Sequence, residues 1–246
     1  MARAGATVLV TGRKLDAVEA LAADIVAAGY RAEAAEVDAL DEGAVGKCVT
    51  DYARRAGSLD ISFNAIGLQD QQGTPLIEMS LADFVRPIER AMETQFITCT
   101  AAGRIMKQQR SGAILSLTAT PGGIGYPNVG GFGPACCAIE SFSRDLASEL
   151  GPHGVRVINI RSAGSPDSRV FKEALAEGGE RAREFIDKIQ DDTMLKQLPL
   201  MEDIANAAVF LASPMAAKIT GVTVDVTCGT TSALNYKIPP IAFVQR

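Results

Sequence analysis

The stretch TATPGGIGYPNVGGFGPACC, positions 118 to 137, concentrates the groups in this chain that could do chemistry. Two hydroxyls, Thr118 and Thr120, precede a glycine pair whose spelling imitates a phosphate-cradling loop, in which glycine lets backbone N–H groups approach an anion. Either hydroxyl could also donate to a substrate carbonyl, or simply cap the end of a strand. Tyr126 is the one phenol of the stretch. It could pass a proton at a carbonyl centre, and a hydrophobic lid is its other reading. Cys136 and Cys137 are nucleophiles only as thiolates, whereas buried cysteines behave as small hydrophobes. The glycine spelling is weak evidence by itself, because such a fingerprint needs a strand-turn-helix context and YPNVGGF intervenes before a helix begins.

Other acid-base groups are sparse. His153 is the only histidine and lies in the LGPHGVRV turn, a solvated position. Asp167 and Ser168 open a polar helical stretch. None of these forms a nucleophile-base pair of recognisable spacing.

The 246 residues, 47% hydrophobic and 22% charged, suffice for one sizeable core, so a single domain is expected. A net charge of -5 without blocks of Lys or Arg argues against a nucleic-acid or anionic-membrane surface. The five cysteines (Cys48, Cys99, Cys136, Cys137, Cys228) lack C-x-x-C spacing, which favours free thiols and no metal site. No apolar run reaches the length of a signal core or a membrane span, and a cytoplasmic protein is expected.

Strands alternate with amphipathic helices. ATVLVTG ends at Gly12, after which Leu15, Val18, Leu21 and Ile25 recur at helical spacing as far as Gly29. RAEAAEVD reads as a strand, a helix through Val45, Cys48, Val49 and Tyr52 stops near Gly57, and DISFNAIG is a strand apolar enough for burial on both faces. SLAD has capping-box form ahead of a helix running to about residue 109. AILSL, a helix over 132 to 150, GVRVINI, helical segments at 167 to 192 and 202 to 213, and GVTVDV complete the series. The alternation predicts an α/β fold with a single doubly wound, predominantly parallel sheet. The core is expected over about residues 6 to 229, with a tail from 230 to 246.

AGATVLVTGR, EVD, DISFNAIG, ELGPHGVRV and FLAS followed by ITG stand in the order and spacing seen in short-chain dehydrogenases/reductases, and from its first residues to about Gly229 the chain resembles that family. The resemblance implies a Rossmann-like domain, an NAD(P)(H)-dependent oxidoreductase of carbonyl and alcohol compounds, and NADP(H) as cofactor. It also implies residual cofactor contacts. Arg13 and Lys14 fall where basic residues meet the 2′-phosphate, Asp38 falls at the adenine contact, and Asn64 and Gly67 keep part of the N-N-A-G segment. Ser162 and Ala163, followed by Gly164, replace the nicotinamide-side P-G.

The departures carry as much weight. The family's first strand, glycine-rich loop and helix, roughly 30 residues, are not in the sequence, so its pyrophosphate cradle is missing and NADP(H) binding is expected to be weak or absent. In the family's register, Ser, Tyr, Lys and helix Asn fall on Ala119, Phe132, Cys136 and Ala91. Phenylalanine moves no proton, and a neutral thiol cannot lower a phenol pKa. A degenerate subunit, or pseudoenzyme, is therefore expected. It would pair with itself or with an active relative through helices 81 to 109 and 132 to 150, the pair that family members bury in assemblies. Two alternatives stand beside it: an active NADP-dependent oxidoreductase whose true N-terminus precedes Met1, and a non-redox isomerase or lyase using Tyr126 on a small carbonyl compound.

Overall fold

The computed structural model describes residues 1–232; the tail expected beyond them lies outside the described residues. The elements are β1 (Val8–Gly12), α1 (Leu15–Ala27), β2 (Ala32–Glu36), α2 (Glu42–Ala56), β3 (Ile61–Asn64), α3 (Leu81–Gln109), β4 (Gly112–Ala119), α4 (Phe132–Leu150), β5 (Val155–Ser162), α5 (Arg169–Asp191), α6 (Met201–Ala212) and β6 (Thr223–Val226). Local chemistry accounts for their ends. Ser80 accepts from the Asp83 N–H at 3.1 Å to cap α3, Asp41 accepts from the Ala44 N–H at 2.9 Å to cap α2, and Gly57 closes α2 in the left-handed region at φ 86°. α5 is broken at Gly179, whose φ of 55° and ψ of -125° are not helical.

All strand pairs are parallel, and every crossover passes through a helix. The strands do not make one sheet. β1 and β2 pair only with each other, while β3-β4-β5-β6 form a second sheet in that order. The expected single sheet is thus divided at the position where a central strand was missing from the sequence pattern, and β1 does not slide across to β3. Ladder pairing is set by neighbours in space, and no described segment reaches the seam. The halves are nevertheless tied. α2 packs on α3 and Met1 packs on the apolar cluster of Leu115, Ile158 and Ile160, while within the first half the Tyr52 hydroxyl donates to the Thr7 carbonyl at 3.0 Å and holds α2 to the start of β1.

Burial follows this division. Ile114, Leu115, Ile158 and Ile160 of the four-stranded sheet are 0% exposed, each contributing on the order of 1.5–3 kcal/mol of hydrophobic stabilisation. α1 departs from its helical pattern. Val18 and Ala22 are buried, but Leu15 and Leu21 remain 40% and 50% exposed, since two strands are too narrow to cover the helix's apolar stripe. Among the described residues, no helix is long and apolar enough to cross a membrane.

Candidate functional site

The carboxyl ends of β4 and β5 carry the stretch from which the chemistry was expected. Its glycines are not a phosphate cradle. A Cβ on Gly122 would stand 2.5 Å from Glu140 Oε1, and one on Gly123 would stand 2.6 Å from Arg161 Nη1, so these glycines make room for two charged side chains beneath the loop. Gly131 serves helix packing in the same way, since its Cβ would lie 1.9 Å from the Phe84 carbonyl oxygen of α3.

Arg161 and Glu140 are the residues that sequence reasoning missed. Arg161 Nη2 lies 2.5 Å from Glu140 Oε2 and Nε lies 3.0 Å from Oε1; the side chains are 13% and 7% exposed. Nη1 reaches the Asp225 carboxylate of β6 at 3.2 Å, and Nη2 the Gly122 carbonyl at 3.5 Å. Burial works against the Arg161 charge, but the hydrogen bonds and charges of Glu140 and Asp225 outweigh it and hold the guanidinium above its ordinary value. The signal available in the sequence was an arginine inside the apolar run VINIRS.

The same network removes one expected hydroxyl. Thr118 is buried; its Oγ1 donates to Glu140 Oε1 at 3.0 Å and accepts from Asn159 Nδ2 at 2.6 Å, so it faces the α4 side of the sheet and is committed there. Thr120, also buried, donates to the Ser162 carbonyl at 3.2 Å and ties β4 to β5. Neither hydroxyl is free for a substrate carbonyl.

Of the four positions that the family register marks for catalysis, Ala91 and Cys136 are buried, Phe132 is half-buried, and Ala119 is half-buried at the end of β4. Ala91 is 0% exposed and belongs to a cluster with Leu68, Ala135 and Ile139, against which the half-buried Phe132 ring packs. Cys136, one turn from Phe132 on α4, is 0% exposed; burial pushes its thiol up to about 12, and a hydrogen bond with the Ala119 backbone opposes this only in part. Cys137 is exposed, and its Sγ lies 3.5 Å from the Gly122 carbonyl. Tyr126 is half-buried above this region. Burial and then the Asp192 charge raise its phenol, which therefore stays neutral and offers no base at neutral pH. Asp167 accepts from the Met201 N–H at 3.0 Å and caps α6, Ser168 caps α5, and His153 sits in a turn.

The cofactor-side residues lie apart from these. Arg13 and Lys14 are exposed at the carboxyl end of β1, and Asp38 turns back on its own loop to accept from the Leu40 N–H at 3.1 Å. Asn64 donates to Thr98 Oγ1 at 2.8 Å and accepts from the Ile66 N–H; Gly67 is exposed, with open space around it. Tested against a dinucleotide, Arg13 and Lys14 fit an anionic adenosine end. The glycine pair at 122 and 123 offers no cradle for a pyrophosphate, because the space beside it is filled by Arg161 and Glu140. Among the described residues, no group of three His, Cys, Asp or Glu is placed to hold a metal ion.

Comparison with known proteins adds descent to this geometry. The family model described as enoyl-(acyl carrier protein) reductase matches residues 1–231. The galactitol 2-dehydrogenase of Rhizobium johnstonii is 30% identical over 94% of this chain and 88% of its own length. An uncharacterized oxidoreductase of Bacillus subtilis, YxjF, is 28% identical over 94% of this chain and 91% of its own. Among solved structures, sorbitol-6-phosphate 2-dehydrogenase of Erwinia amylovora superposes with a TM-score of 0.85 at 24% identity, covering 93% of this chain and 91% of that one. A gluconate 5-dehydrogenase of Burkholderia cenocepacia, in complex with NADP and tartrate, does so with a TM-score of 0.84 at 21% identity, covering 95% and 88%. At such identities these likenesses concern the fold.

Proposed function

We propose, for a chain that belongs to the short-chain dehydrogenase/reductase family of NAD(P)-dependent oxidoreductases, that it is a catalytically silent member. One observation carries the reading: Phe132, which the family register puts at the tyrosine position, packs its ring on the buried cluster of Leu68, Ala91, Ala135 and Ile139, and the neighbouring thiol of Cys136 is buried, with its pKa pushed up to about 12. In this family the nicotinamide exchanges a hydride with the substrate. The accompanying proton needs a donor or acceptor at the reacting oxygen, help worth about 10²–10⁴-fold in rate, and among the described residues no side chain at the family's catalytic positions offers one. Small polyols or their carbonyl partners are the ligand class suggested by the names of the relatives.

NADP(H) binding is proposed to be weak or absent. Arg13 and Lys14 can meet a 2′-phosphate, but among the described residues no glycine cradle lies beside them to receive the pyrophosphate, and Asp38 is turned onto its own loop. Association through the outer faces of α3 and α4 is proposed as well, on the support of Phe96, 52% exposed on α3, whose ring centroid stands 6.4 Å from that of Phe142 on α4.

A second reading, an ordinary oxidoreductase, is favoured by the relatives themselves, which are named as dehydrogenases and reductases over most of this chain. One assay decides between them: NADPH oxidation by the purified chain across a panel of ketoses, aldehydes and keto acids, with calorimetric titration of NADPH alongside. The silent reading expects no turnover above the enzyme-free rate and no micromolar affinity. Sustained turnover, or micromolar binding, overturns it.

A further inference from the structure

Among the described residues no other element packs along α5, and none of its described residues is buried, whereas α3 and α4 each bury nine. Its anchorage is at its start, where the Phe171 ring lies so close to Gly164 that a Cβ there would stand 2.1 Å from Phe171 Cζ. The half after the Gly179 break is nevertheless amphipathic. Ala182, Phe185, Ile186 and Ile189 fall at i, i+3, i+4 and i+7 and share one face, and Met194 and Leu195 follow just past the helix end. Phe185, Met194 and Leu195 are 54%, 57% and 62% exposed, and Glu180, Glu184, Asp187 and Asp191 are exposed along the same half. A helix of this kind draws its stability in water from cover over its apolar stripe, and the described body covers this one only in part.

The chain itself supplies a segment of matching chemistry beside this face. The N–H groups of Met194 and Leu195 donate to the Cys228 carbonyl at 3.0 and 3.2 Å, a Cβ on Gly229 would stand 2.7 Å from that of Met194, and the described residues end shortly after, at Ser232. The sequence from 233 onward, ALNYKIPPIAFVQR, therefore departs next to the end of α5. Leu234, Tyr236 and Ile238 alternate with Asn235 and Lys237, the spacing that gives an extended segment one apolar face; Pro239 and Pro240 exclude a helix, and Ile241 and Phe243 repeat the spacing. Lys237 and Arg246 are its only charged side chains, opposite in sign to the exposed carboxylates of α5. Extended, the segment spans up to roughly 45 Å, more than twice the roughly 18 Å of the helix half.

We propose that the second half of α5 is a docking face for this chain's own residues 234–243, which lay their apolar side chains on Phe185, Ile189 and Met194 and turn Lys237 to the carboxylates beside them. Tethering selects this occupant over a free peptide or a second copy, because a segment joined through a few residues meets the face at an effective concentration in the millimolar range. The face and its occupant are independent of the reading of the catalytic positions.

The test is NMR on the full chain. Residues 234–243 should show backbone order parameters near those of a rigid body, about 0.8 or more, and the Phe185 ring should show nuclear Overhauser contacts to methyl groups of that segment. The paired change Ile238→Asp with Phe243→Asp should drop those order parameters below about 0.6 and speed amide exchange over residues 182–191 by about tenfold, while exchange over 132–150 stays unchanged as the mark of an intact body. Phe185→Ser should release the segment from the other side, with the same fall in order. Three results would overturn the proposal: order parameters below about 0.6 for 234–243 in the unaltered chain, exchange over 182–191 indifferent to the paired change, or order that fades on dilution as light scattering reports a dimer coming apart, which would make a second copy the partner.

Discussion

Removing Glu140 should expose how far the loop over the candidate site depends on the buried ion pair. In Glu140→Leu, Arg161 keeps only Asp225, itself 39% exposed, and the Gly122 carbonyl, while Thr118 loses its acceptor. Breaking a buried pair by deleting one partner typically costs about 3–5 kcal/mol, because the other charge stays desolvated. Asp225 reduces that here, so a loss of about 2–4 kcal/mol is expected. For a chain of this size that lowers Tm by roughly 4–16 °C. Asp225→Asn, which removes only the exposed partner, should cost about 1 kcal/mol or less. The double variant Glu140→Leu with Arg161→Met removes both charges and should recover most of the loss, leaving on the order of 1 kcal/mol for the hydrogen bonds of Thr118 and Asn159. Urea unfolding followed by circular dichroism, with the parent, Glu140→Leu, Arg161→Met, their double variant and Asp225→Asn at one pH, measures the cycle. A Glu140→Leu midpoint indistinguishable from that of the parent chain, or a double variant less stable than the sum of the two single changes, would refute the reasoning.

Gly131→Ala should destabilise by about 3 kcal/mol or more, because its Cβ would fall 1.9 Å from the Phe84 carbonyl oxygen of a packed helix, whereas Gly67→Ala, which meets open space, should stay within about 0.5 kcal/mol in the same thermal melts. Alkylation by iodoacetamide at pH 8, read by mass spectrometry, should modify the exposed Cys137 first and leave Cys136 and Cys99, held at about 12 and about 11, unmodified in the native protein. The same two thiols ionise later in the folded chain than at their ordinary value of 9.0, so the stability they contribute is complete below that pH and is lost as pH rises toward 11 to 12. Each should steepen the alkaline fall by up to about 1.4 kcal/mol per pH unit, and Cys136→Ala should flatten it in urea midpoints compared between pH 8 and pH 10. Phe96→Glu should dissociate any assembly built on α3 and α4, as measured by light scattering; an unchanged mass for an oligomeric parent would place the interface elsewhere.

The element boundaries were legible in the amino-acid sequence because their causes are local. The helix over 132 to 150 is found at Phe132–Leu150, and the one predicted to end near 109 is found at Leu81–Gln109 behind its Ser80 cap. Strand, turn and cap preferences act over a few residues, and the alternation of strands and helices already implied parallel pairing. The apolar identities of Ala91, Phe132 and Cys136 were equally legible, since the absence of a proton-carrying group at a position needs no coordinates. Three matters depended on segments far apart in the chain. Whether β1 would join β3 depended on ladder partners that no local pattern names, and the sheet is divided. Whether Gly122 and Gly123 cradle an anion depended on Arg161, which arrives from the next strand and fills the space below them. Whether Thr118 could meet a substrate depended on which face of β4 its side chain takes. Packing against α4 turns it to Glu140, where a buried carboxylate needs donors more than an open site needs a hydroxyl.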